Sequence, residues 1–192
     1  NGGVVDGVDS TGMELRDLLS TVDLLVCDDL NYEVADFIAA DSANGRVAFI
    51  HAKAASSPFS ASAFHDVCSQ AAKNLEFLLP SARTAPPNSQ NLWGGTWNRG
   101  NGEVVDKRIR RGPEDAQEFW AKVQALIRDP TVEREVWIVY GGGFRLADLE
   151  EQVGEANPKP QAVQLYYLLQ STWAAVSAAG ARLRILCPDH PE

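Results

Sequence analysis

The segment EVADFIAADSANGRVAFIHAKA, Glu33 to Ala54, reads as two half-buried strands around a tight turn. Yet it carries an aspartate, a histidine and a lysine where a plain strand pair would carry apolar residues. With Ser42 to Gly45 as the loop, Asp41 lies opposite Arg46, and every further cross-strand pair keeps the same index sum, so Asp36 falls opposite His51. Side chains alternate with a period of two and paired residues share a face. Val34, Asp36 and Ile38 therefore lie on one side with Lys53, His51 and Phe49, and Asp36, His51 and Lys53 converge. Taken by itself, that convergence describes a charge-paired sheet face.

Outward from this pair the chain keeps a regular order. TGMELRDLLSTV, Thr11 to Val22, offers Thr11 as an N-cap, Glu14 as its capping-box partner and an apolar stripe of Met13, Leu15, Leu18 and Leu19, which predicts a short helix. DLLVCDD, Asp23 to Asp29, predicts an apolar strand. Ser60 to Leu79 carries Phe64, Val67, Cys68, Ala71, Leu75 and Leu78 at helical spacing. In the second half, Gly112 to Ile127 predicts a helix with Pro113 at its first position and acids in its first turn. Glu135 to Gly143 predicts a buried strand, Pro160 to Gly180 a long amphipathic helix, and Arg182 to Pro188 a final strand. Strands alternating with helices imply the α/β class, a mixed β-sheet with helices on both faces. No internal repeat or second core is visible, so residues 1–192 read as a single domain.

An apolar fraction of 45% is enough for one sizeable core. Cys27, Cys68 and Cys187 are widely spaced in apolar stretches, which suits buried thiols in a reducing compartment better than a disulfide framework or a zinc site. There is no charged-then-apolar leader and no apolar run near the ~20 residues of a membrane span, so the expectation is a soluble, cytoplasmic protein. The opening NGGVVDG has no initiator methionine, and a module of a larger protein is expected.

A net charge of −9 argues against a protein that coats nucleic acid, since such binding neutralises phosphates with Lys and Arg. A local site is still open. KRIRR places Lys107, Arg108, Arg110 and Arg111 within five positions, either to steer a polyanion or to protect a solvated edge strand. Residues 80–102, rich in Pro, Gly, Ser and Asn, form a long loop in which Trp93 and Trp97 either stack on bases or seal the core. Gly141 to Gly143 is followed by no Gly-Lys-Ser/Thr and reads as a strand-ending turn. No Gly-x-Ser-x-Gly elbow supports serine hydrolase chemistry.

Helix, three strands, helix, strand, with an aspartate on the second strand and a residue-x-lysine on the third, resembles the PD-(D/E)XK nuclease superfamily, and within it the Mrr-type restriction endonuclease branch. The resemblance covers residues 11–79: Asp36, fourteen intervening residues, His51-Ala52-Lys53, then a helix carrying Gln70. It implies a restriction-endonuclease-like fold and metal-dependent hydrolysis of DNA phosphodiester bonds with Mg²⁺ or Mn²⁺. In that reading Asp36 anchors the metal, Glu14 gives a second carboxylate and the Ala52 carbonyl a third oxygen. Lys53 stands beside the attacking water and stabilises the transition state by its charge.

His51 departs from the pattern. A neutral imidazole is a poor Mg²⁺ ligand, so the site lacks one strong oxygen; a pKa near neutrality would instead make it a general base. The alternative is a catalytically inactive nuclease-fold module that binds DNA or protein. Leu24 to Ala54 is also similar to the terminal region of some large bacterial helicase or defence proteins. That likeness implies DNA and a helicase or ATPase module, in the same or a partner chain, as partners.

Overall fold

A computed structural model describes residues 17, 19–28, 33–55, 59–82, 84–87, 89–98, 104–105, 107–142 and 144–187. Strands β1 (Leu24–Cys27), β2 (Phe37–Asp41) and β3 (Arg46–Ala54) form an antiparallel meander, followed by α1 (Ala61–Lys73) and a 3₁₀ turn (Leu75–Leu78). Next come α2 (Ser89–Leu92), β4 (Trp97–Asn98), β5 (Val104–Val105), β6 (Ile109–Arg111) and α3 (Ala116–Arg128). The chain continues through β7 (Glu133–Gly141), α4 (Leu146–Gly154), α5 (Pro160–Ala178) and β8 (Arg182–Leu186). The main sheet is mixed, in the order β6-β1-β2-β3-β7-β8, with β6, β1, β2 and β3 antiparallel to their neighbours and β3, β7 and β8 parallel. β4 and β5 pair separately.

The hairpin register is the expected one: Asp41 pairs with Arg46 and the ladder runs to Phe37 opposite Ile50. Its turn is held by the Asp41 carboxylate, which accepts from Asn44 N (3.0 Å) and Nδ2 (2.7 Å), and by Gly45 at φ 61°. A glycine there avoids the Cβ strain of the left-handed region.

Alternation then sorts the core into two faces. Val26, Ile38, Phe49 and Val136 pack with α1, α3, α4 and α5 through Phe64, Val67, Phe119, Val123, Leu149 and Leu165. Ala39, Ala48, Ile50, Trp137 and Leu186 form the smaller cluster on the other face, covered by Leu19 and Val22. Residues 19–21 are helical and Leu19 packs on the second face, so helical backbone reaches both faces, while α1, α3, α4 and α5 lie on the first. Fully burying a side chain such as Phe64 contributes about 2–3 kcal/mol.

Local chemistry moved several expected boundaries. The helix foreseen to Leu79 ends at Lys73, because the Asn74 amide turns to donate to the carbonyls of Glu33 (3.1 Å) and Val34 (2.8 Å). α3 starts at Ala116, not at Pro113: Asp115 is the N-cap and accepts from Glu118 N at 2.8 Å. α5 does begin with its proline, and Gly180 at φ 69° ends it. β7 stops where Gly142, at φ 70°, passes so close to Ala55 O that a Cβ would sit 2.7 Å from it. α4 was not foreseen. Among the described residues no helix is long and apolar enough to cross a membrane.

Candidate functional site

The antiparallel ladders end just before the residues of interest. Beyond Cys27 opposite Phe37, the Asp28 N–H still reaches Asp36 C=O at 2.9 Å. Residues 46–50 of β3 lie opposite β2, and beyond them Ala55 N donates to Gly141 O on the β7 side, so by alternation the odd N–H groups face β7 and the even ones face β2. Ala52 therefore turns its N–H toward β2, which has already ended. The Asp36 carboxylate takes the ladder's place and accepts from Ala52 N at 2.6 Å. In a strand the N–H and C=O of one residue point to the same side, so the Ala52 carbonyl opens toward Asp36 as well.

His51 and Lys53 continue the Val47–Phe49 face, under α1. His51 is 2% exposed, and burial alone pushes its imidazole down to about 4. Burial thus favours its neutral form and holds it below the near-neutral value expected of it. Lys53 stays half-exposed and lies 4.0 Å from Asp66 of α1. Both groups are open to water, so that ion pair adds little stability. Gln70 donates to Glu33 at 3.2 Å, joining α1 to the chain ahead of β2. Glu14 lies outside the described residues. Among the described residues no three His, Cys, Asp or Glu side chains gather as a metal-holding group.

One acid beside Asp36 was not foreseen. Asp28 continues the Leu24–Val26 alternation, is 2% exposed, and accepts from Trp93 Nε1 at 2.6 Å and Val34 N at 2.9 Å. Burial raises its carboxyl to about 6, although the Trp93 and Val34 hydrogen bonds and the Arg108 charge oppose the rise. The alternation of β1 signals its side, but the long connection to β2 hides its register with Asp36.

The other proposed contacts divide. Trp93 is fully buried, with its ring edge-on to Phe119 (5.4 Å) and Trp120 (6.3 Å), so it seals the core and does not stack on bases. Of Trp97 only the backbone is described. The four basic residues do not form one surface cluster: Arg108 is 3% exposed and donates to Cys27 O at 3.4 Å. Arg111 donates to Val22 O at 2.9 Å, Lys107 pairs with Glu114, and Arg110 is exposed. β6 is an edge strand beside β1. A shallow concavity of about 260 Å³ lined by Glu76, Phe77, Leu79, Ser81, Ala82 and Thr84 includes none of Asp28, Asp36, His51 and Lys53.

No family model, curated protein or solved structure compared with the chain matches it.

Proposed function

We propose that this is a restriction-endonuclease-like domain of PD-(D/E)XK type that hydrolyses DNA phosphodiester bonds with a divalent cation. The observation that carries the reading is the Asp36 carboxylate fastened to the Ala52 backbone, with Lys53 next but one to His51 on the same strand. The meander, the helix α1 and the parallel strand β7 support the same layout. Asp36 and the Ala52 carbonyl are hard oxygens of the kind Mg²⁺ or Mn²⁺ takes. When bound, such an ion polarises the phosphoryl oxygen and lowers the pKa of water. Lys53 supplies positive charge at the rim of the same face, where an anionic phosphate arrives. Arg110, exposed on the β6 edge, adds attraction for the DNA backbone. The setting is DNA processing or bacterial defence beside a helicase or ATPase module.

A second reading, a nuclease fold that binds without cutting, is favoured by His51, whose buried neutral ring replaces an acid. Cleavage of plasmid and single-stranded DNA with Mg²⁺ or Mn²⁺, stopped by chelator, separates the two. Asp36→Ala should abolish cleavage and Lys53→Ala should slow it by roughly two orders of magnitude or more, each with an unchanged melting profile. Binding without cleavage would leave the second reading; neither binding nor cleavage would overturn both.

A further inference from the structure

The backbone of Glu33 to Asp36, which delivers the Asp36 carboxylate to Ala52, is held from two sides. Asn74 donates to the carbonyls of Glu33 (3.1 Å) and Val34 (2.8 Å). Asp28 holds the rest. Its carboxylate accepts from Val34 N at 2.9 Å and faces the Ala35 N–H, and its own N–H donates to Asp36 O at 2.9 Å. One residue thus fixes three backbone groups in succession, the last of them on Asp36 itself.

Asp28 is in turn held from a distant part of the chain. Trp93 Nε1 donates to its other carboxylate oxygen at 2.6 Å. Arg108 lends it a counter-charge while donating to the adjacent Cys27 O at 3.4 Å. Both side chains lie between α1 and α3 in sequence, and both are buried. A carboxylate only 2% exposed is costly to keep, and an apolar side chain would fill the same core position at lower cost. What distinguishes the carboxylate is the set of backbone groups it holds.

We propose that Asp28 is a positioning residue for Asp36, through which Trp93 and Arg108 set the place of the metal-anchoring carboxylate, a role that presupposes the metal-dependent reading above. Position matters there because Asp36 meets Ala52 N, at 2.6 Å, where the β2–β3 ladder has ended. A small shift of the Val34 to Asp36 backbone carries the carboxylate with it. Partners that orient a metal ligand are commonly worth roughly 10–100-fold in metal affinity.

Amide hydrogen exchange of the full chain, followed by NMR, reads the placement of Asp36 without any metal. Asp36→Ala should unprotect the Ala52 N–H, which calibrates the probe. Asp28→Asn should speed Ala52 exchange about tenfold or more and leave Ala48 and Ile50, inside the ladder, unchanged. Asparagine has one acceptor oxygen where two are used, so it can answer Trp93 or Val34 but not both. Trp93→Phe keeps an aromatic ring in the core without the Nε1 donor; it should act in the same direction to a smaller extent, and it carries the test if Asp28→Asn does not fold. Titration with Mn²⁺, followed by electron paramagnetic resonance, should show binding weakened about tenfold in Asp28→Asn. Ala52 exchange equal to wild type in the folded variants overturns the proposal, and so does faster exchange that Ala48 and Ile50 share, or an unchanged Mn²⁺ affinity. A wild type that binds no Mn²⁺, with Ala52 alone loosened by Asp28→Asn, supports the positioning and defeats the metal-dependent reading instead.

Discussion

Replacing His51 with leucine should turn a nearly flat stability profile into one that rises toward acid. In the wild type the imidazole is neutral inside the fold down to about 4, against 6.5 when free. As pH falls through that window the unfolded chain binds a proton that the native state refuses, so stability is lost on acidification. At about 1.4 kcal/mol per pH decade, the loss is about 3 kcal/mol. Asp28 works the other way. Its carboxyl holds a proton up to about 6 in the fold, against 3.8 when free, so the native state binds more protons and stability is gained as pH falls through the same window. That gain is also about 3 kcal/mol. The two groups offset each other between about pH 6 and 4. Asp129 and Asp148, held below the usual carboxylate range by hydrogen bonds from Thr131 and Arg145, lose their contribution only at lower pH.

Removing either member exposes the other. Urea midpoints followed by tryptophan fluorescence at about pH 4, 5, 6 and 7 would read the effect, and with a slope of about 2 kcal/mol/M the full swing is about 1.5 M. His51→Leu should gain that much from pH 7 to 4, and Asp28→Asn should lose about as much, while the wild type changes by less than about 0.5 M. A His51→Leu profile that is flat, or that falls toward acid, would refute the assignment of opposed buried groups.

Three further outcomes follow from local geometry. Asp115→Ala removes the cap on Glu118 N and should cost about 1 kcal/mol, a fall of a few degrees in the thermal midpoint. Arg184→Ala strands Glu135, which is fully buried and bonded to Arg184 at 2.7 Å; a loss of about 3 kcal/mol is expected, partly recovered in the double variant with Glu135→Gln. Gly112→Ala should destabilise by about 1–3 kcal/mol by denaturant titration, since φ is 106° and the added Cβ would sit 2.7 Å from Leu24 Cδ2.

The sheet was legible where its connections are short and its strands alternate. A four-residue loop with Gly45 left one sensible register for β2 and β3, and Pro160 and Gly180 marked α5 at both ends. Long-range contacts were not legible. Nothing local to Asn74 says that its amide will cap the carbonyls of Glu33 and Val34, forty residues away, and so shorten α1. The three-residue error at the start of α3 has a different origin, because two cap chemistries, Pro113 and Asp115, competed for the same turn and the carboxylate that reaches Glu118 N prevailed.

At the candidate site the same distinction decides what residue type can reveal. Asp36 and His51 came together on paper because a hairpin index sum is arithmetic, and the Asp36–Ala52 hydrogen bond follows from β2 ending while β3 continues. The state of His51 depends on what lies above it. Alternation puts it on the Phe49 face, but only the cover of that face by the helical layer, absent from any local pattern, makes the ring neutral. Lys53, two residues on, reaches the rim and keeps its exposure. Within three consecutive residues, then, one side chain is a buried neutral group, one offers its backbone to a carboxylate, and one holds a solvated charge. Arg108 makes the same case in reverse, since a run of basic residues reads as surface until one of them is drawn inward beside Asp28 by a strand pairing more than eighty residues apart in sequence.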